Sequence, residues 1–455
     1  MQLAAALRIT DLTRLAVTGA GGKTSTLFWL ARELRQVHHT VILTTTTHLG
    51  AWQVQGGDRH LIIQDVHDLE LIPGFPPGVI VVTGPRQAER RYGGLAAEVL
   101  KRLHARADLE QIPLLVEADG ARLLPLKAPE QHEPDIPEFV DHVVVCAGLS
   151  GLGKPLTGEW VHRSQQFARL AGLEPGELVT PQAVSRVLMH PLGGLKNIPL
   201  RARRSLLLNQ AESVELQAQA HSIARQVRQA YHGVIIAALP RLPSAEAEVR
   251  PPVLQYPQIH AVHEAIAGVI LAAGGATRFG RLKQLLDWHG QPMVRHVAQI
   301  ALQAGLAPVV VVTGAGAEQV TQAVAGLPVS VVENPHWLRG QSTSMQAGLS
   351  AIDPSGGGVV FLLADQPNVP AALIQALVDT HSQDLAPIVA PLVDGQRGNP
   401  VLFDPTTFGD LMQVGGDVGG RQIFSKHPLL YVPWHDRGVL LDVDEPSDYD
   451  HGLAI

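Results

Sequence analysis

Short apolar runs alternate with amphipathic stretches along nearly the whole chain. RLAVTG (14–19), TVILTTTT (40–47), GVIVVTG (78–84), PLLVEADG (113–120), DHVVVCAG (141–148) and GVIIAAL (233–239) each end in Gly, Thr or Leu. Between them lie stretches such as TSTLFWLARELRQV (24–37), whose apolar residues recur at helical spacing. The alternation predicts βα units on a parallel sheet. From Leu239 to Ile266 prolines accumulate and the periodicity fades, as in a connector. The alternation then resumes with AGVILAAG (267–274), PVVVVTG (308–314), VSVVEN (329–334) and GVVFLLADQP (358–367), interleaved with PMVRHVAQIALQAG and PAALIQALVDTH. The pattern predicts an α/β protein of two three-layer α/β/α domains. They cover 1–250 and 266–455, on either side of a proline-rich linker at 251–265, with the boundary near 255 to 265.

The first strand of each half runs into a glycine loop, but the two loops differ in design. In VTGAGGKTS, Gly19, Gly21 and Gly22 permit close backbone approach, so successive N–H groups can face a phosphate where a helix begins. Lys23 can reach the β- and γ-phosphates, and the Thr24 hydroxyl can ligate Mg²⁺. The full pattern G-x-x-x-x-G-K-[ST] asks for glycine at position 17, where this chain has Val17. The loop is similar to the shortened one of Mur-type ligases, which bind ATP. Glu117 and Asp119 end an apolar strand, the place of a Walker-B-like acid that holds Mg²⁺ or orients a water. The expectation is a P-loop NTPase-like domain that binds ATP through Gly19, Gly21, Gly22, Lys23 and Thr24. Thr24 would be a metal ligand, with Glu117 and Asp119 completing the site. His48, His132 and His162 lack zinc spacing and read as surface or loop residues.

GAGGKTS, TTTTHLG, VEADGARLLPLKAP, HEP and GLGKPL together resemble the YqeC-type family, accessory proteins of selenium-dependent molybdenum hydroxylases, over about residues 10 to 240. The resemblance implies a place in molybdenum hydroxylase maturation, with an apo molybdenum hydroxylase as partner.

The second loop reads L-A-A-G-x-x-x-R-x-G-x-x-K from Leu271 to Lys283, which is not a P-loop. Its N–H groups can line a triphosphate while Arg278 and Lys283 supply positive charge. That layout suits nucleotidyl transfer, in which an oxyanion attacks the α-phosphorus and pyrophosphate leaves. Asp365 at the end of GVVFLLAD is the expected metal ligand. Asp444, in LDVDEPSDY, is a second candidate for the same metal. VVVVTGAGAEQV (309–320) imitates half a dinucleotide fingerprint, but it lacks the third glycine and a suitable acid and reads as a strand-to-helix turn.

LAAGGATRFGRLKQLL, ENPHWLRGQSTSMQAGL, LLADQP, GQRGNPVLF, GGDVGGRQIF and LDVDEPSDY, in that order, resemble the molybdenum cofactor cytidylyltransferase family within the MobA-like nucleotidyltransferase (Rossmann-like) fold. The resemblance implies Mg²⁺-dependent transfer of CMP from CTP to molybdopterin. It assigns Leu271, Ala272, Ala273, Gly274, Gly275, Arg278 and Lys283 to the CTP phosphates and Asp365 to Mg²⁺. It places Asn334, Ser342, Ser344, Asn399 and Arg421 in segments along the base or pterin side. Relatives that use GTP tend to carry Gly where Ala273 stands, which favours CTP; a guanylyltransferase and a cofactor-carrying chaperone for a molybdenum hydroxylase are the alternatives.

Composition narrows the partners. Hydrophobic residues make up 45% and charged residues 17% of the chain, and the net charge is −7. No broad basic face for nucleic acid is expected, so anionic ligands must be met by local loops. No apolar stretch approaches the length of a membrane span, and the start MQLAAALRITDLTR lacks a signal layout. The expected partners are therefore small molecules, with neither nucleic acid nor membrane, and the expected location is cytoplasmic. The single cysteine, Cys146, reads as a small buried hydrophobe.

Overall fold

The computed structural model describes residues 1–9, 12–88, 90–240, 256–275, 282–443, 445, 448 and 449. The chain divides into two units, Met1–His263 and Glu264–Ile455. Both are α/β, each built on a large sheet rich in parallel pairs.

In the first unit nine strands lie in an order that, by first residue, runs Gln258, Gly233, Arg203, His142, Arg14, Leu114, Thr40, Gly78 and Arg59. Arg14–Gly19 is central, with Leu114–Glu117 on one side and His142–Gly148 on the other, both parallel to it. These strands are buried nearly along their whole length and mostly apolar because both faces are covered. Ala16, Ile42 and Val116 join one core with Leu100 and Leu103 of the helix Ala97–Leu109. Lys23–Leu34 packs on the same strands through its own buried Leu27, Phe28 and Leu30. Its first residues lie beside the carboxyl ends of Arg14–Gly19 and Leu114–Glu117, the edge where ligands bind in such sheets.

The strand Gln258–Glu264 corrects the expected linker at 251–265. It lies beside Gly233–Ala238 at the edge of the first sheet, with Ala261 and Val262 buried. The prolines at 251, 252 and 257 hid it: they precede the strand rather than interrupt it, and an edge strand needs few apolar positions. Residues 251–255 of that linker lie outside the described residues.

In the second unit the order by first residue is Ser330, Val309, Ile266, Gly358, Val401, Ile388 and Gln396, and Leu429–Pro433 also pairs with Ile388–Val393. Alternate residues of one strand feed two separate cores. Ile270 and Ala272 pack with Val294, Val297 and Leu373, whereas Val269 packs with Met345, Leu349 and Phe403. Period-two alternation thus places a layer on each face of the sheet.

Candidate functional site

In the second unit Leu271 and Leu363 are neighbours in a parallel register, so the segments after Ile266–Ala272 and Gly358–Leu363 leave the sheet side by side. The first becomes Ala273–Gly274–Gly275. The buried Gln284 pins it, donating through Nε2 to the carbonyls of Ala272 at 3.1 Å and Gly274 at 3.0 Å. The second delivers Asp365, whose Oδ2 lies 3.8 Å from Nζ of Lys283. Between them opens a cavity of about 490 Å³ lined by Leu271–Gly275, Lys283, Gln284 and Asp365. Trp337, Gly340, Gln341, Ser344 and Asp417 complete its wall.

Sequence reading missed Gln284, Trp337, Gln341 and Asp417, although each lies in or beside a segment that carries the resemblance. A signal existed for Trp337. A Cβ on Gly314 would lie 2.7 Å from the Trp337 ring and 2.8 Å from the Ala273 carbonyl, so glycine there lets the indole close against the loop. That glycine belongs to the strand-to-helix turn between Val309–Thr313 and Ala317–Ala323.

Of the residues assigned to the base or pterin side, only Ser344 lines the cavity. Asn334 is spent internally: its Nδ2 donates to the hydroxyls of Thr343 at 2.8 Å and Ser344 at 2.9 Å, and its Oδ1 accepts from the His336 amide at 2.9 Å. It ties its turn to Ser344, which lines the wall. Ser342 is buried, Asn399 half-buried and Arg421 exposed, and none of the three borders the cavity. Arg278 and Asp444 lie outside the described residues. The segment leading to Asp444 does reach the site, since the Val443 amide donates to the Asp365 carbonyl at 3.0 Å and Gln366 Nε2 donates to Asp442.

The glycine loop of the first unit corrects the expectation that its successive N–H groups face a phosphate. The Gly19 amide donates to Asp119 Oδ2 at 3.0 Å, Ala20 to the Cys146 carbonyl at 2.9 Å and Gly21 to the Leu124 carbonyl at 3.1 Å. Val17 explains the difference. It remains in the strand, paired with Val144 and Glu117, so the loop starts two residues late and lies against the sheet edge. Only the helix opening from Gly22 to Ser25 keeps amides that have no carbonyl one turn below.

Lys23 is buried there. Its Nζ donates to the Gly19 carbonyl at 2.9 Å and lies 3.2 Å from Asp119 and 3.9 Å from Glu117. Burial alone would lower the pKa of this ammonium, but Asp119 and Glu117 outweigh it and hold it above the usual lysine value. Burial pushes the Glu117 carboxyl up, opposed by Lys23 and by the Thr24 hydroxyl, which donates to Glu117 at 2.9 Å. Gln53 Nε2 donates to Thr24 at 2.7 Å.

The network extends through a lysine that sequence reading did not single out. Lys127 Nζ bonds Asp119 at 2.8 Å, Glu133 at 2.7 Å and the Gly120 carbonyl at 2.7 Å, and Arg163 holds Glu133 with two further bonds. Against the cost of burial, Arg163 and Lys127 hold the Glu133 carboxyl down at about 2. Beside the network burial drives the Cys146 thiol up to about 12, so it sits in the core as an inert thiol. His132 is exposed and His48 and His162 are half-buried. Among the described residues no group of three or more His, Cys, Asp or Glu could hold a metal ion, and no helix is long and apolar enough to cross a membrane.

A glycine loop and a Lys–Asp charge pair at the carboxyl edge of a parallel-rich sheet mark the second unit as a nucleotidyltransferase domain, and residues 268–430 match the MobA-like NTP transferase domain. Residues 15–165 match the YqeC protein family. The uncharacterized protein YqeC of Escherichia coli (strain K12) is 34% identical over 206 residues, covering 45% of this chain and 78% of that protein. The chain belongs to the YqeC family in its first unit, joined to a MobA-like NTP transferase domain in its second. Nicotine blue oxidoreductase of Paenarthrobacter nicotinovorans is 31% identical over 189 residues, covering 39% of this chain and 92% of that one. Among solved structures, Rv0371c from Mycobacterium tuberculosis H37Rv is 30% identical, with 42% of this chain and 98% of that chain covered and a TM-score of 0.39.

Proposed function

We propose that the second unit transfers CMP from CTP to a molybdopterin acceptor and releases pyrophosphate, in a chain devoted to molybdenum cofactor maturation. The observation that carries this reading is the Lys283–Asp365 pair, 3.8 Å apart at the mouth of a cavity floored by the loop Leu271–Gly275. Loop amides and Lys283 suit the triphosphate. Asp365 suits Mg²⁺: one carboxylate plus substrate phosphates is a normal set of partners for that ion, which needs no all-protein cage. When bound, the ion would offset charge on the leaving pyrophosphate. Lys283 holds the triphosphate in line for attack by the acceptor's oxyanion, and Trp337 shields one side of the cavity from water. Ala273, buried in the wall, is the position that favours CTP over GTP.

The test is pyrophosphate release by the intact chain with each nucleoside triphosphate and molybdopterin as acceptor. CTP supports release and GTP does not. Selective use of GTP makes the domain a guanylyltransferase. Molybdopterin held tightly without nucleotide, with no release from any triphosphate, makes the chain a cofactor carrier for an apo molybdenum hydroxylase.

For the first unit the reading is Mg²⁺–ATP bound through Gly22, Lys23 and Thr24, with Glu117 beside the ion. Lys23 must then exchange Asp119 for phosphate. A charged hydrogen bond contributes about 1.5–3 kcal/mol, so Lys23→Ala weakens the Lys23-dependent part of ATP binding by about one to two decades. Calorimetric titration of the intact chain measures it, and unchanged affinity would leave the loop a structural turn.

A further inference from the structure

Two arginines at the carboxyl edge of the second sheet have no acid to pair with among the described residues. Arg397 stands opposite Leu392 in the hairpin where Ile388–Val393 ends. That strand runs in the same sense as Gly358–Leu363, because both are antiparallel to Val401–Phe403 between them. Its end therefore lies on the edge from which Asp365 emerges. The Arg397 guanidinium lies over the Phe424 ring, 4.4 Å from its centre, and Phe424 packs at 6.0 Å on Phe403, in the core layer that holds Met345. Arg421 stands one turn before Phe424, whose amide donates to its carbonyl at 3.3 Å. It shares the segment Gly416–Ile423 with Asp417, a wall of the nucleotide cavity.

The neighbouring acids are committed elsewhere. Asp394, in the turn of the hairpin, pairs with Arg437 at 3.1 Å, and Asp417 accepts the Gln341 amide at 3.2 Å. Among the described residues neither Arg397 nor Arg421 has an ion-pair partner. Burial and the charge of Arg421 together hold the Arg397 guanidinium below its usual pKa. A chain of net charge −7 thus seats one arginine on the Phe424 ring and carries a second one turn before that ring along the chain. Such a pair repels itself until an anion joins it, and the fork of each guanidinium matches phosphate oxygens.

We propose that Arg397 and Arg421 clamp the phosphomonoester of the molecule that accepts the nucleotidyl group. The inference rests on the nucleotidyl-transfer reading above. An acceptor phosphate oxygen forms a bond to the α-phosphorus of the triphosphate, and the bond from that phosphorus to the pyrophosphate oxygen breaks. Pyrophosphate leaves with the electron pair. No base is required, because the attacking oxygen is already an anion. The difficulty is repulsion between two anions, which the two guanidinium groups offset on the acceptor's remaining oxygens.

The experiment has two arms on the intact chain. In the first, phenylglyoxal modification of Arg397 and Arg421 is mapped by peptide mass spectrometry with phenyl phosphate as the probe. Phenyl phosphate protects both arginines without CTP. Protection by CTP alone, or no protection, overturns the clamp. In the second, Arg397→Gln and Arg421→Gln are assayed by pyrophosphate release. Each raises KM for the phosphorylated acceptor about tenfold or more and leaves KM for CTP within about twofold. Parallel rises in both constants, or an unchanged acceptor KM, overturn the assignment while leaving nucleotidyl transfer intact. If phenyl phosphate protects but the wild-type chain transfers to no phosphomonoester, the transfer reading has failed and the acceptor role falls with it.

Discussion

Asp365→Asn lowers kcat for pyrophosphate release by about 10²–10³-fold, the scale of losing one group that stabilises developing charge in a transition state. The amide keeps the volume and hydrogen-bonding reach of the carboxylate but gives up its charge. Lys283 loses a charge partner at 3.8 Å, and the magnesium ion loses a protein ligand. Structure should survive: Asp365 is only partly buried, and its main-chain carbonyl still accepts the Val443 amide. The measurement is single-turnover release with CTP saturating, together with CTP binding to confirm that the cavity is intact. Turnover within about fivefold of wild type would place the metal on another residue and remove Asp365 from the mechanism.

Legibility in the sequence followed the kind of interaction involved. Apolar runs such as VVVV at 309–312 identify strands directly, because a strand covered on both faces must be apolar throughout. The second site was equally open to reading: Leu271–Gly275 and Asp365 close two apolar strand runs, and a parallel sheet brings such ends to one edge. What sequence hides is how polar groups spend their bonds. Asn334 looks like a ligand contact, yet the structure uses its whole amide to tie the turn at 334–336 to Thr343 and Ser344. The first glycine loop looks like a row of free N–H groups, yet three of them are consumed because Val17 stays in the strand. Arg397 and Phe424 are 27 positions apart, and only packing against Phe403 shows that they meet.

Loss of Lys127 should strongly weaken the first unit, and although the residue lies in VEADGARLLPLKAP, nothing in that stretch announces what it binds. Its ammonium is buried and divides its bonds among Asp119, Glu133 and the Gly120 carbonyl. Lys127→Met keeps the length and apolar stem but strands two buried carboxylates without their shared cation. Breaking a buried pair by removing one partner costs about 3–5 kcal/mol, far more than an exposed pair contributes. In a unit of this size that lowers the melting temperature by roughly 10 °C. Asp119 retains Lys23 and Glu133 retains Arg163, which keeps the loss from growing larger. The effect has a pH signature. Glu133 ionises at about 2 in the folded protein against an ordinary 4.5, so the unfolded chain takes up its proton first. The stabilisation is complete above the ordinary value and disappears as pH falls towards 2. The wild-type advantage over Lys127→Met is therefore largest near neutrality and shrinks between about pH 4.5 and 2. Differential scanning calorimetry of the two intact chains across that range checks both statements, with pyrophosphate release by the second unit as the control for a folded chain. A transition that moves by less than about 2 °C at neutral pH would mean that the carboxylates find other partners, and that Lys127 is not the link that holds the network together.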